Sequence, residues 1–141
     1  MDNELRRRIR DAFSQTQLPS RPITGHRCTE CDETDHLLGD RAWSDVIDDF
    51  PEYCHDTFPL LTNEAQRYFL PAYMVAALDS SGMQGLSVEF ALQSDALPPE
   101  SFTREQRAAV RDWIGAYVHK IGRDVVDEQY EDLLSRWATG K

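Results

Sequence analysis

Residues 103–121 read TREQRAAVRDWIGAYVHKI and predict an amphipathic α-helix. Thr103 and Gln106 have the spacing of a capping box, in which each side chain satisfies a backbone N–H of the other residue. The apolar side chains that follow recur on one helical face: Val110, Trp113, Ile114, Tyr117, Val118 and Ile121. Gly122 is expected to end this helix. Its apolar stripe requires a core to pack against.

The same periodicity extends over much of the chain on both sides of this helix. It predicts helices over about residues 3–15, 41–50, 62–79 and 126–137. The helix over residues 3–15 is expected to present a basic outer face. Residues 84–94 alternate between apolar and polar as a strand would, but a lone strand would have no pairing partner. We therefore expect a helix there as well.

The helix over residues 62–79 contains a proline. Thr62 is a suitable N-cap, whereas Pro71 lacks the amide that would bond to the carbonyl of Arg67. We expect a kink or a break at this proline. The chain shows no internal repeat and no linker long enough to divide domains. The prediction is an all-α fold, an irregular bundle of five to six helices in one domain over residues 1–141.

Charge is distributed unevenly along the 141 residues, whose formal net charge is −10. Residues 30–56 contain ten acidic residues against the single base Arg41, whereas residues 1–29 contain six arginines against three acids. A net negative surface repels phosphate backbones and argues against direct nucleic-acid binding. A run of acids is usually a solvated face, but this one would also suit a basic protein partner.

The sequence predicts a cytoplasmic protein without membrane segments. No stretch approaches the roughly 18 apolar residues of a transmembrane helix, and no apolar run of signal-peptide length follows the N-terminal arginines. Three cysteines are an odd number, and two of them are separated by only two residues. This pattern suits a reducing compartment better than a disulfide framework.

The patch HRCTEC at residues 26–31 is the strongest indication of chemistry. The spacing of Cys28 and Cys31 allows both sulfurs to reach one tetrahedral ion, for which zinc is the default. A thiol pair is only half of such a site. We expect His26 as the third ligand and either Cys54 or His55 as the fourth.

Other interpretations of the patch remain open. Buried cysteines can simply act as small apolar side chains. Redox-active Cys-x-x-Cys pairs lie at a helix start after a strand, and the chain has no βαβ pattern to provide that context. An open metal site would allow catalysis with Glu30 or Glu33 as general base, whereas four protein ligands would make the ion structural.

The patch and two downstream stretches resemble a known family. Together with Trp43, PLLTNEA at residues 59–65 and YFLPAY at residues 68–73, the patch is similar to small bacterial proteins catalogued as a domain of unknown function. The resemblance extends from the first helix to the helix start at residues 103–107. It implies a stand-alone bacterial cytoplasmic domain and a role for the patch, but it carries no activity.

Three functions follow from these observations. The first is a non-enzymatic acidic binding protein, similar to an immunity protein, an antitoxin or an inhibitor, whose residues 30–56 meet a basic surface. The second is a metal-dependent enzyme that uses the Cys/His patch. The third is a structural domain stabilised by zinc. The absence of His-Glu-x-x-His, phosphate-loop and nucleophile-elbow motifs in the sequence favours the first.

Overall fold

A computed structural model describes residues 3–25, 28–79, 85–121 and 128–138 of the chain. Seven α-helices lie within these ranges: α1 (Asn3–Ala12), α2 (Thr29–Leu38), α3 (Trp43–Asp48), α4 (Asn63–Asp79), α5 (Leu86–Ala91), α6 (Arg104–Lys120) and α7 (Glu128–Ala138). Three short 3-10 helices complete the list: Glu52–Asp56, Phe58–Leu60 and Pro99–Ser101. In the described ranges, β-pairing is limited to one antiparallel bridge between Thr24 and Leu61. The predicted all-α fold is confirmed.

Helix α2 is the element that the apolar pattern did not predict. Its buried side chains are Cys31, Thr34 and Leu38, of which Leu38 is the one large aliphatic residue. The Thr34 hydroxyl can be buried because it donates a hydrogen bond to the carbonyl of Glu30 at 2.8 Å. A helix that buries a thiol and a hydroxyl gives little apolar periodicity. This explains why five or six helices were predicted and seven are found.

Helix α4 forms the centre of the bundle and continues through Pro71. It packs against α3 and α6, and nearly all of its side chains from Ala65 to Leu78 are buried. Thr62 caps it as predicted, since its hydroxyl accepts the amide of Ala65 at 3.2 Å. No break occurs at Pro71. The packing around α4 offsets the one backbone hydrogen bond that the proline removes.

Helices α5, α6 and α7 confirm the predictions for the C-terminal half. The capping box is present, with Thr103 Oγ1 accepting the amide of Gln106 at 3.1 Å and Gln106 Oε1 accepting the amide of Thr103 at 2.9 Å. The ambiguous stretch is helical as α5. The carbonyl of Leu92, just after α5, accepts the indole N–H of Trp137 at 2.9 Å. This bond fixes α7 to the end of α5.

The arginines of α1 are engaged with other helices. Arg6 pairs with Asp79 of α4, and Arg8 pairs with Asp112 of α6. Arg10 pairs with Asp48 of α3 at 2.5 Å. The predicted basic outer face of α1 is therefore largely compensated by acids of the bundle.

None of the described helices is both long enough and apolar enough to cross a membrane.

Candidate functional site

The C-terminal end of α2 is held in place by an arginine from the extended segment before the helix. Arg21 pairs with Asp35 at 2.6 Å and with Asp40 at 2.7 Å. The other oxygen of Asp35 accepts the amide of Ile23 at 3.0 Å. The hydrogen bond from Arg21 lowers the pKa of Asp35, and the Ile23 amide acts in the same direction. The C-terminal end of α2 is therefore fixed to this segment.

Cys28 and Cys31 occupy the first turn of α2. Cys28 is the N-cap, with extended backbone angles of φ −164° and ψ 169°, and its Sγ accepts the amide of Cys31 at 3.2 Å. Cys28 is partly exposed, whereas Cys31 is fully buried. The three cysteines of the chain, all in the described ranges, carry thiols rather than disulfides. The pair thus has one accessible sulfur and one interior sulfur.

Cys54 lies on the neighbouring 3-10 helix Glu52–Asp56 and is completely buried. Thr57 donates its hydroxyl to the carbonyl of Cys54 at 2.9 Å and lies 2.9 Å from the hydroxyl of Tyr73. Burial raises the pKa of the Cys54 thiol to about 11. The side chain is therefore a protonated thiol in the interior of the protein.

Tyr53 is an exposed residue of the Glu52–Asp56 turn, and its phenol is affected by charges on α2. Its side chain is 48% exposed, although its neighbour Cys54 is buried. The pKa of Tyr53 is raised, first by desolvation and then by the charges of Glu30 and Glu33. Cys28 and Cys54 contribute smaller effects in the same direction. The phenol of Tyr53 therefore lies within electrostatic range of both carboxylates and of the thiols of Cys28 and Cys54.

Nine of the ten acids of residues 30–56 separate into two groups, and the side chain of the tenth, Asp56, is not described. Four of them pair with arginines: Asp35 and Asp40 with Arg21, Asp48 with Arg10, and Asp49 with Arg41. Five form no ion pair with any other residue that the structure describes: Glu30, Asp32, Glu33, Asp45 and Glu52. All five are exposed. We call Glu30, Glu33 and Tyr53 the acidic face, because both carboxylates raise the pKa of Tyr53.

The predicted zinc ligands are only partly described. Cys28, Cys31 and Cys54 are placed as above, whereas His26 lies outside the described residues and the side chain of His55 is not described. Among the residues that the structure describes, no three His, Cys, Asp or Glu side chains lie close enough together to hold a metal ion. The zinc site stays a prediction that depends on these two histidines.

A groove of about 550 Å³ lies elsewhere, between α1 and α6. Ala12, Ala108 and Ala109 are among its lining residues. Several polar groups around it are already engaged, since the Arg8–Asp112 ion pair and the Thr103 cap both belong to its lining. The cysteine patch and the acidic face are not part of this groove.

Tyr53 is the residue that the sequence pattern did not single out. It stands between Glu52 and Cys54 with no helical or strand periodicity to place it. An aromatic residue among acids in a short proline-bounded segment gives no sign of its exposure. Only the 3-10 turn, which buries Cys54 and turns Tyr53 outward, determines that the phenol reaches the surface.

The fold and the site define a small all-α protein with a thiol pair at a helix N-terminus and an acidic face beside it. The chain belongs to a family described as a family of unknown function, DUF6714, which it matches over residues 1–139. No curated protein and no solved structure matches it significantly. The family membership confirms the resemblance seen in the sequence. The bacterial origin and the cytoplasmic location stay predictions.

Proposed function

We propose that this protein is a non-enzymatic binding protein, of the inhibitor or immunity kind, whose acidic face docks on a basic surface of a partner protein. One observation carries the proposal. Glu30 and Glu33 form no ion pair with another described residue, yet both act on the half-exposed ring of Tyr53. The acidic face thus combines two carboxylates that form no ion pair with any described residue and a half-exposed aromatic side chain.

This combination suits the recognition of arginine and lysine side chains. Carboxylates that lack an intramolecular partner can pair with incoming cations without breaking an existing ion pair. A tyrosine ring offers an apolar surface on which a guanidinium stacks, and tyrosines are enriched among the residues that dominate interface energies. The long-range field of the carboxylates would also raise the rate of encounter with a basic partner.

The arrangement of charge in the rest of the molecule supports the same surface. Arg6, Arg8, Arg10 and Arg21 are each committed to acids of the bundle. Arg41, the one base within residues 30–56, lies against the end of α3, where it donates to the carbonyls of Asp45 and Asp49 at 3.3 and 3.2 Å. These bases therefore have their own partners away from Glu30 and Glu33.

The test is affinity capture from a lysate of the source organism with three versions of the full chain. Glu30→Gln/Glu33→Gln removes the charge of the acidic face, and Glu100→Gln/Glu105→Gln removes the same charge at two exposed positions elsewhere. We expect a basic protein to be retained by the wild type and the control variant, released by salt, and lost by the acidic-face variant. Equal retention by all three would show that the acidic face is not the docking site.

A second proposal concerns zinc, which would stabilise the fold by joining α2 to the Glu52–Asp56 turn. It is supported by the effect of both Cys28 and Cys54 on the pKa of Tyr53, since both thiols must lie within electrostatic range of that one phenol. His26 and either Cys54 or His55 would complete the ligand set with Cys28 and Cys31. The ion would supply folding energy, so a chelator would lower the melting temperature.

The measurement for zinc is elemental analysis of protein purified without a metal-affinity tag. We expect about one zinc ion per chain in the wild type and none in Cys28→Ser/Cys31→Ser, as a four-ligand structural site requires. Absence of zinc from both proteins, together with a melting temperature that a chelator leaves unchanged, would contradict this second proposal.

A further inference from the structure

We propose that Cys28 and Cys31 form a redox-active dithiol, which closes to a disulfide by exchange with a small cationic disulfide. Cys28 would be the attacking thiol and Cys31 the resolving thiol. The sequence argued against this chemistry because such pairs lie at a helix start that follows a strand, and the chain has no βαβ pattern. The structure supplies the helix start without the strand, since Cys28 is the N-cap of α2 and Cys31 lies in its first turn.

The two sulfurs differ in the way that sequential attack requires. Cys28 is partly exposed, so an external disulfide can reach its sulfur. Cys31 is fully buried and cannot react directly with a molecule in solvent. Its amide donates to Cys28 Sγ at 3.2 Å, which places the two residues in immediate contact. Negative charge that develops on Cys28 Sγ would be stabilised by this amide and by the N-terminus of the ten-residue helix.

The exchange balances in two steps. In the first, the Cys28 thiol gives its proton to water, and its sulfur attacks one sulfur of R–S–S–R. The S–S bond of the reagent breaks, a Cys28–S–S–R bond forms, and R–S⁻ leaves and takes up a proton. In the second, the Cys31 thiol loses its proton and attacks the sulfur of Cys28, which displaces the second R–SH. The two cysteines are oxidised, and the external disulfide is reduced to two thiols.

The charge around Cys28 selects among disulfides. Glu30 and Glu33 lie on the same helix as Cys28, and all three act on the phenol of Tyr53. These carboxylates repel an anionic disulfide and attract a cationic one. The substrate class is therefore a disulfide that carries amines, either a small diamine disulfide or a basic peptide.

Cys54 provides an internal control for thiol reactivity. It is completely buried, and burial raises its pKa to about 11. Both properties keep its sulfur protonated and out of reach of the reagent. A disulfide that involved Cys54 would therefore contradict the assignment.

The test uses the reduced full-length protein, treated with a chelator and then incubated with cystamine or with oxidised glutathione. We expect a loss of two hydrogen atoms, a Cys28–Cys31 bond in the peptide mass map, and a thiol at Cys54. Cystamine should react about tenfold faster than oxidised glutathione at low salt, with a smaller ratio at high salt. Cys31→Ser should stop at a stable cystamine adduct on Cys28.

Three results would overturn the proposal. The first is a wild-type protein that, like Cys31→Ser, stops at the Cys28 adduct. The second is a bond from either cysteine to Cys54. The third is a zinc ion that remains through chelation and prevents the exchange, since the same thiolates cannot bind zinc and form a disulfide. If Cys31→Ser does not fold, a transient Cys28 adduct in the wild-type time course gives the same information, and its absence before closure counts against the mechanism.

Discussion

Arg21 is the residue that fixes the C-terminal end of α2 against the preceding segment. Its guanidinium binds Asp35 and Asp40 and lies over Gly39, where a Cβ atom would come within 2.6 Å of Arg21 Nε and 2.5 Å of the Asp35 carbonyl oxygen. Glycine is therefore required at position 39 for this close approach.

The Arg21–Asp35 pair makes the stability of the protein depend on pH. Because the pKa of Asp35 is lowered in the folded protein, its contribution is present above its ordinary pKa of about 4 and is lost as the pH falls through the lower folded value. We expect the free energy of unfolding to fall more steeply with acidification in the wild type than in Asp35→Asn. The two proteins should converge at low pH.

Urea denaturation at a series of pH values measures this difference. Asp32→Asn is the matched control, because Asp32 is an exposed acid of the same helix without an ion pair to a described residue. Its stability curve should run parallel to that of the wild type. A parallel curve for Asp35→Asn would mean that the pair with Arg21 contributes no pH-dependent stability.

At the scale of elements, α6 shows how local sequence and packing agree. Its capping box and its buried stripe follow from the pattern that predicted it, and the bond from Trp113 Nε1 to the carbonyl of Met74 at 2.8 Å joins it to α4. Gly115 is the exception, since a glycine in a helix interior costs conformational entropy. Apart from the backbone of α6 itself, the atom of the described residues that a Cβ built there would meet is Tyr130 Oη, at an ordinary contact distance of 3.6 Å.

Gly115→Ala should therefore raise the free energy of unfolding by about 0.5–1 kcal/mol. Gly85→Ala is the contrasting variant, because a Cβ there would lie 2.5 Å from the ring of Tyr117 and 2.9 Å from Ala77 Cβ. This overpacking should lower stability by about 1–3 kcal/mol. Urea denaturation of both variants checks the two signs, and a destabilised Gly115→Ala would contradict the packing described around α6.

Other elements show where sequence patterns lose information. Helix α2 went unpredicted because its interior positions include Cys31 and Thr34, whose burial depends on hydrogen bonds and neighbouring elements rather than on apolar periodicity. Pro71 suggested a break that does not occur, because the surrounding helices hold α4 on nearly all sides. Both differences arise from tertiary packing, which a local sequence pattern does not reveal.

The candidate site could be predicted only in part, because the rest of it also depends on tertiary packing. The Cys-x-x-Cys spacing identified Cys28 and Cys31 directly, since both lie on one turn. The position of Tyr53 beside them depends on how the Glu52–Asp56 turn packs near α2, and no spacing rule relates these elements. The separation of the acids into paired and unpaired groups likewise depends on arginines distant in sequence, such as Arg10 and Arg21.

At the scale of the whole molecule, which has a net charge of −10, several arginines are paired with particular acids rather than spread evenly over the surface. The arginines of α1 are used to join helices, and Arg21 and Arg41 neutralise acids near α2 and α3. Glu30 and Glu33 keep their charge beside an exposed tyrosine and an accessible thiol. The central claim is that this acidic face is where the protein meets a basic partner.

The most direct test of that claim is the affinity of the captured partner, measured by calorimetry at low and high salt. The account predicts that Glu30→Gln/Glu33→Gln weakens binding by about tenfold or more at low salt, as the loss of two interfacial charges implies, and that the difference shrinks as salt rises. The control Glu100→Gln/Glu105→Gln should bind as the wild type does. Equal affinities for both variants across the salt range would contradict the account.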